Sequence, residues 1–366
     1  MEKMEVNNNR KFWKNKRILI TGHTGFKGAW LSIILKSLDS KVFGIGLKPK
    51  NQYDLFNYIK KDVYKKSYVT NLNNLAKTAK IIKKIKPEII FHFASQSLVR
   101  ESYRDPYYTF NNNFFITLNL LEILRRHYQP RVLLISTTDK VYKISNNKNT
   151  INFFNENNSL GGNDPYSASK SCVELLVDSY KKSFFSNHKM NVLVARAGNV
   201  IGGGDWAKDR LIPDIFRSYK LKKILTIRNP NSTRPWQHVL DVLNGYMKFA
   251  EYGWVKKTPV DILNFGPTNY KVQSVLEVLK IVKKNIKLFK FKKENSNNFF
   301  KETQKLSLNV NKAKKILNFK PKWNSIKSIK YTVEWYQNFF SKKNPYDLCK
   351  QQIDKFYNRK NVDKKN

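Results

Sequence analysis

Short apolar runs alternate with segments of helical spacing through the first half of the chain. Arg17-Ile18-Leu19-Ile20-Thr21 predicts a buried strand, and Ala29 to Lys36 carries apolar residues at helical intervals. Lys41 to Leu47 predicts a second strand and Ser67 to Leu72 a weaker third. Leu75 to Ile85 follows with helical spacing, closed by Pro87. Glu88 to Ala94 predicts the fourth strand, in which His92 reads as a satisfied core histidine. An amphipathic helix runs from Asn113-Phe114 to Arg126, and Arg131 to Ile135 and Asn191 to Ala195 give strands five and six. This alternation predicts an α/β fold, a doubly wound parallel sheet. From Arg196 the texture changes to glycine- and arginine-rich loops. Val239 to Ala250 then predicts a helix, and Val260 to Phe265 a strand returning to the sheet. Residues 267–366 give two or three helices, a loop at Pro321-Lys322-Trp323 and a lysine-rich tail. Residues up to about Trp13 are polar and expected to fray.

Charge changes this picture little. Lysine and arginine number 69 against 27 acidic residues, a net charge of +42. A basic excess of that size raises the possibility of a nucleic-acid partner on a dinucleotide-type scaffold. The lysines are dispersed along the whole chain, however, and asparagine is abundant beside them, as in Asn7-Asn8-Asn9 and Asn111-Asn112-Asn113. Dispersal of this kind reads as compositional bias on solvated faces, so neither a nucleic-acid nor a membrane partner is expected. The field should still attract an anionic small molecule such as a nucleotide diphosphate. Cys172 and Cys349 offer neither metal spacing nor a disulfide framework, and Cys172 is expected as a packed thiol. Met1 to Glu5 opens no apolar signal segment and no long apolar run follows, so a cytoplasmic protein is expected.

Three stretches carry candidate chemistry. Gly22-His23-Thr24-Gly25-Phe26-Lys27-Gly28 lies between the first strand and the first helix. Glycines there let backbone approach a pyrophosphate seated on the helix N-terminus. Thr138, Asp139 and Lys140 follow the fifth strand, at the carboxyl edge where open parallel sheets bind ligands. Tyr166 and Lys170 are one helical turn apart, and an ammonium near a phenol favours the phenolate, a usable general base. The loops 196–210 and 228–238 mix arginine, tryptophan and asparagine, which suits a diphosphate and a stacked base. Lys48 stands at the end of the second strand, where dinucleotide folds often place an acid. It reads as a surface lysine or as a partner for a 2′-phosphate.

Together these motifs resemble the extended short-chain dehydrogenase/reductase family, over about Phe12 to Tyr357. Within it they are most similar to the sugar-nucleotide 4,6-dehydratases. Thr138-Asp139-Lys140 is informative, because relatives acting on dTDP-glucose carry Thr-Asp-Glu there; Gly202-Gly203-Gly204-Asp205-Trp206-Ala207 is more specific than any glycine turn. The resemblance implies a Rossmann domain over residues 1–196 with a return segment near 239–266. A smaller sugar-nucleotide-binding domain would comprise 197–238 and 267–366. It implies NAD as cofactor, no metal, CDP-glucose as substrate and a homo-oligomer, dimer or tetramer. Gly22, Thr24, Gly25, Phe26, Lys27, Gly28, Asn71, Leu72, Phe93, Ala94, Ser95, Tyr166 and Lys170 would hold NAD, Asn71 standing where the family commonly has an aspartate. Gln96, Arg100, Asn199, Gly204, Asp205, Trp206, Arg210, Arg234 and His238 would hold the substrate. Thr138, Asp139, Lys140, Tyr166 and Lys170 would carry the chemistry, an internal redox dehydration. An epimerase of the same fold is the nearest alternative; it would share Tyr166 and Lys170 but need no acid at Asp139.

Overall fold

A computed structural model describes residues 10–144, 152–185, 190–227, 229–256, 260–267, 273–286, 289–293 and 306–358. The lysine-rich tail and Arg228 lie outside the described residues. Seven strands form the main sheet: β1 (Arg17–Thr21), β2 (Lys41–Gly46), β3 (Lys66–Val69), β4 (Ile89–His92), β5 (Val132–Ser136), β6 (Asn191–Ala197) and β7 (Ile262–Phe265). Their order is β7-β6-β5-β4-β1-β2-β3, and every pairing is parallel.

Successive residues of each strand point to opposite faces, and both faces are covered. Ile18 and Ile20 join the core beneath the Phe26–Ser37 and Val239–Val255 helices, while Leu19 joins the core beneath the Leu75–Ile85, Ile116–Arg126 and Pro165–Tyr180 helices. Val132 and Leu134 divide from Leu133 and Ile135 in the same way. A strand buried on both faces must be apolar throughout, which is why the central strands read as continuous runs. The first core extends without a break into the C-terminal segment, through Trp323, Trp335, Tyr336, Leu348 and Phe356.

Several expectations are corrected. Trp13 is fully buried; its indole donates to Glu251 at 2.6 Å, so the chain is anchored there and not frayed. The amphipathic helix starts at Ile116, preceded by a π-turn over Asn111–Phe115 and by two short helices, Val99–Arg104 and Pro106–Phe110. Beyond residue 267 four helices are described: Val275–Asn285, Asn311–Leu317, Ser325–Phe340 and Pro345–Tyr357. Cys172 is half-buried and Cys349 fully buried. His92 is satisfied inside the core, its Nδ1 2.7 Å from Thr21 Oγ1 and its Nε2 3.1 Å from Thr117 Oγ1. Among the described residues no helix is long and apolar enough to cross a membrane, and no cluster of His, Cys, Asp and Glu could hold a metal ion.

The strand order reverses between β1 and β4, and there the carboxyl ends of the strands open into a cavity of about 1030 Å³.

Candidate active site

The floor of the cavity is the glycine turn. Gly22 has φ +71°, and a Cβ there would meet Ala94 N at 2.7 Å; one on Gly28 would meet the Gly22 carbonyl at 2.4 Å. Only glycine permits that conformation beside so close a neighbour. Gly25 is the N-cap of the Phe26–Ser37 helix, with no side chain capping it and no acid in its first turn. Bare amides at a helix start facing a cavity are a seat for an anion. Thr24, Phe26, Lys27, Phe93, Ala94 and Ser95 line the same floor, and Asn71, Leu72 and Lys48 its outer end.

The wall opposite is built at the end of β5. Thr138 lies two residues past the strand and caps the 3-10 turn Asp139–Val141; its hydroxyl donates to Asp139 Oδ1 at 3.1 Å. Asp164 starts the Pro165–Tyr180 helix by accepting from Ser167 N at 2.9 Å, with Pro165 pre-set at the first position. That cap aims Tyr166 and Lys170 into the cavity beside Thr138. Thr138 acts on the Tyr166 phenol, and the Lys170 ammonium reaches the Ser136 carbonyl at 3.5 Å. Thr138, Asp139, Tyr166 and Lys170 are all buried.

Burial dominates the electrostatics of this wall. It raises the Asp139 carboxyl above the usual carboxylate range, against the opposing pull of Lys140, Thr138 and Arg234. It also pushes Tyr166 up to about 12, with Thr138 and Arg210 offsetting part of that rise. Lys170 is held down to about 7 by burial and then by the like charge of Lys27, while Glu174 opposes. One expectation changes: burial, not the charge of Lys170, dominates Tyr166, because loss of solvent outweighs the neighbouring charges. The like-charge neighbour of Lys170 is Lys27, whereas Lys140 acts on Asp139.

The outer part of the cavity is arginine-lined. Arg210 donates to Asp205 at 2.9 Å and to Ser97 at 2.8 Å, bridging the 196–210 loop to the end of β4. Arg100 pairs with Asp209 at 3.3 Å. Arg234, Asn199, Gly204 and Trp206 line the cavity too, as do Leu225 to Ile227. The Trp206 ring packs against Tyr53, Tyr336 and Phe339, and its indole N–H has no hydrogen-bond partner among the described residues. Gln96 also borders the cavity, but its amide closes its own loop, donating to Leu98 O and Thr109 Oγ1, both at 2.9 Å.

His238 is the one substrate expectation the structure removes from the cavity. It is fully buried, caps the Val239–Val255 helix by accepting from Leu240 N at 3.2 Å, and packs between Trp30 and Trp323. Side chains the sequence reading passed over include Ser97, Glu174 and Tyr246. Tyr246 places its hydroxyl 3.1 Å from Ser136 Oγ and its ring 5.7 Å from the Lys27 ammonium. Glu174 alone had a signal, since it continues the four-residue spacing of Tyr166 and Lys170.

Known proteins with this architecture narrow the assignment. The GDP-mannose 4,6 dehydratase family matches residues 19–332. A CDP-glucose 4,6-dehydratase of Salmonella typhimurium is 36% identical, covering 95% of this chain and 98% of its own. A dTDP-D-glucose 4,6-dehydratase of Dictyostelium discoideum is 28% identical over 73% of this chain and 62% of its own. Among solved structures, the UDP-glucuronic acid 4-epimerase of Bacillus cereus, in complex with UDP-glucuronic acid and NAD, superposes with TM-score 0.76 at 20% identity. It covers 88% of this chain and 99% of its own. The dTDP-glucose 4,6-dehydratase of Bacillus anthracis, in complex with NAD, gives 0.71 at 21% identity, with 90% and 99% covered. The chain therefore belongs to the GDP-mannose 4,6 dehydratase family, whose members dehydrate or epimerise nucleotide sugars.

Proposed function

We propose that the protein dehydrates CDP-glucose to CDP-4-keto-6-deoxyglucose, with NAD as a resident cofactor restored in each turnover. The observation that carries this reading is Asp139, a buried carboxyl with a raised pKa, standing at the strand end between Thr138 and Lys140. An epimerase needs no such acid, whereas loss of the C6 hydroxyl does. The full-length likeness to the Salmonella typhimurium enzyme supports CDP-glucose as the substrate.

The residues present fit the cofactor: bare backbone at Gly22, Gly25 and Gly28, an uncapped helix start and no acid in the first turn leave a cradle for a pyrophosphate. Bound NAD supplies the hydride acceptor for C4 and the hydride returned at C6. Tyr166 takes the O4 proton, and Thr138 holds O4 by hydrogen bonding. Lys170, in its charged form, stabilises the phenolate as it develops. Asp139 donates its proton to the departing C6 hydroxyl. Lys140 takes the C5 proton, which the neighbouring ketone has made acidic, and a proton is returned to C5 as hydride arrives at C6. Arg210, Arg100 and Arg234 are assigned to the diphosphate, and residues 197–238 with 267–366 to the sugar-nucleotide half of the site.

The test is a substrate panel. CDP-, dTDP-, UDP- and GDP-glucose are each incubated with the protein and NAD, and products are read by mass spectrometry. Loss of one water from CDP-glucose, well ahead of the other three, is the expected result. Turnover of a different nucleotide, or isomerisation without loss of water, overturns the reading.

A further inference from the structure

Glu174 lies one turn beyond Lys170 and two beyond Tyr166, on the same face of their helix. It is almost wholly buried, as is its partner Arg196 on β6, each with 2% of its side chain exposed. The Glu174 carboxylate accepts from Arg196 Nε at 2.9 Å and from Nη2 at 2.5 Å. It also accepts from the Thr137 hydroxyl at 2.6 Å, one residue before Thr138. Arg196 Nη1 donates to the Tyr142 hydroxyl at 2.9 Å, which itself donates to Asn264 on β7 at 2.7 Å. One carboxylate thus joins the catalytic helix, the end of β5 and both strands beyond it.

Stability explains this arrangement poorly, because apolar residues of similar volume often replace a buried ion pair with no loss of stability. Its position relative to Lys170 explains it better. The groups facing Lys170 are Lys27 from the glycine turn, His92 from β4, Tyr166 and Glu174 from its own helix, with Tyr246 beyond Ser136. Lys27 disfavours the ammonium and Glu174 favours it. His92 is held neutral by burial, down to about 3.

We propose that Glu174 is a positioning residue for the reaction, an anion one helical turn behind Lys170 that also locks the Thr137–Asp139 turn to the catalytic helix. The proposal rests on the reading of Tyr166 and Lys170 as the base and its cation, but not on which nucleotide the sugar carries.

The experiment uses the full-length protein labelled with ¹³Cε-lysine, without sugar nucleotide. The Lys170 signal is identified by its absence in Lys170→Met, and its titration midpoint is followed. The double variant Glu174→Gln with Arg196→Met leaves no orphaned buried charge. Its midpoint is expected about one pH unit below that of the native protein, the scale of a nearby opposite charge. Glu174→Gln alone keeps an acceptor for Thr137 but leaves Arg196 unpaired, so its midpoint should fall further. The alkaline limb of kcat/KM should move in parallel. A Lys170 midpoint unmoved in whichever variant folds overturns the proposal, even if stability or activity falls. Failure of the CDP-glucose assignment would leave the titration untouched, so the two outcomes are separable.

Discussion

Gly198 backs directly onto Asp139: a Cβ at Gly198 would stand 2.8 Å from Asp139 Oδ2 and 3.4 Å from Pro235 Cγ. The carboxyl is therefore held between its Thr138 hydrogen bond on one side and bare backbone on the other. Gly198→Ala must turn the acid away from its place. With CDP-glucose the expected outcome is a fall in kcat of up to about a hundredfold, the usual consequence of misplacing a reacting group by an ångström. Thermal stability should change little, because the methyl group borders the cavity. Steady-state kinetics at native values would show that the position of Asp139 is not critical.

Tyr166→Phe keeps the ring and removes the proposed proton acceptor. Loss of a positioned general base costs about two to four orders of magnitude in kcat. Binding of CDP-glucose, measured by calorimetry, should stay close to native, since the proposed diphosphate contacts lie on the arginine side of the cavity. Product formation near the native rate would remove Tyr166 from its assigned role.

The sheet was legible because a strand covered on both faces has few options besides a continuous apolar run, and the glycine turn because only glycine allows φ +71° at Gly22 with Ala94 N 2.7 Å from where a Cβ would stand. The candidate catalytic side chains were legible for the same local reason: Thr138–Lys140 and Tyr166–Lys170 each occupy one turn of chain. What escaped depends on contacts across the fold. Nothing near His238 in sequence reveals that its ring lies between Trp30 and Trp323. Likewise, the neighbour of Lys170 could not be read as Lys27 until the Phe26–Ser37 and Pro165–Tyr180 helices were brought to one cavity. Burial of Tyr166, which outweighs every charge around it, is a property of the assembled pocket and not of its motif.

Lys140 lines the cavity beside Asp139, and its charge acts on that carboxyl. As the proposed acceptor of the C5 proton, it predicts a separation of steps. Lys140→Met should block incorporation of solvent deuterium at C5 while oxidation at C4 proceeds, so reduced-nicotinamide absorbance accumulates after mixing. Exchange and elimination at the native rate would make Lys140 a bystander.

A pH dependence of stability follows from Asp241. Its carboxyl accepts from the backbone N–H groups of Lys322 at 2.6 Å and Trp323 at 3.3 Å, tying the Val239–Val255 helix to the C-terminal segment. Burial pushes it up to about 7 despite those bonds. The folded protein therefore keeps this proton after the unfolded chain has lost its own near pH ~4. The resulting stabilisation is complete below that pH and is lost as pH rises toward 7. Asp241→Asn cannot titrate, so its melting temperature should gain on the native value between pH 5 and pH 8, whatever constant offset the substitution brings. A difference that stays flat across that range would contradict the raised carboxyl.

The central claim, an internal redox dehydration, is tested most directly by following one atom. CDP-glucose deuterated at C4 is converted with NAD, and the product is examined by NMR and mass spectrometry. The account predicts that one water is lost and that the deuterium from C4 is recovered at C6 of a 4-keto sugar. Deuterium found again at C4, or a product that has lost no water, would contradict it.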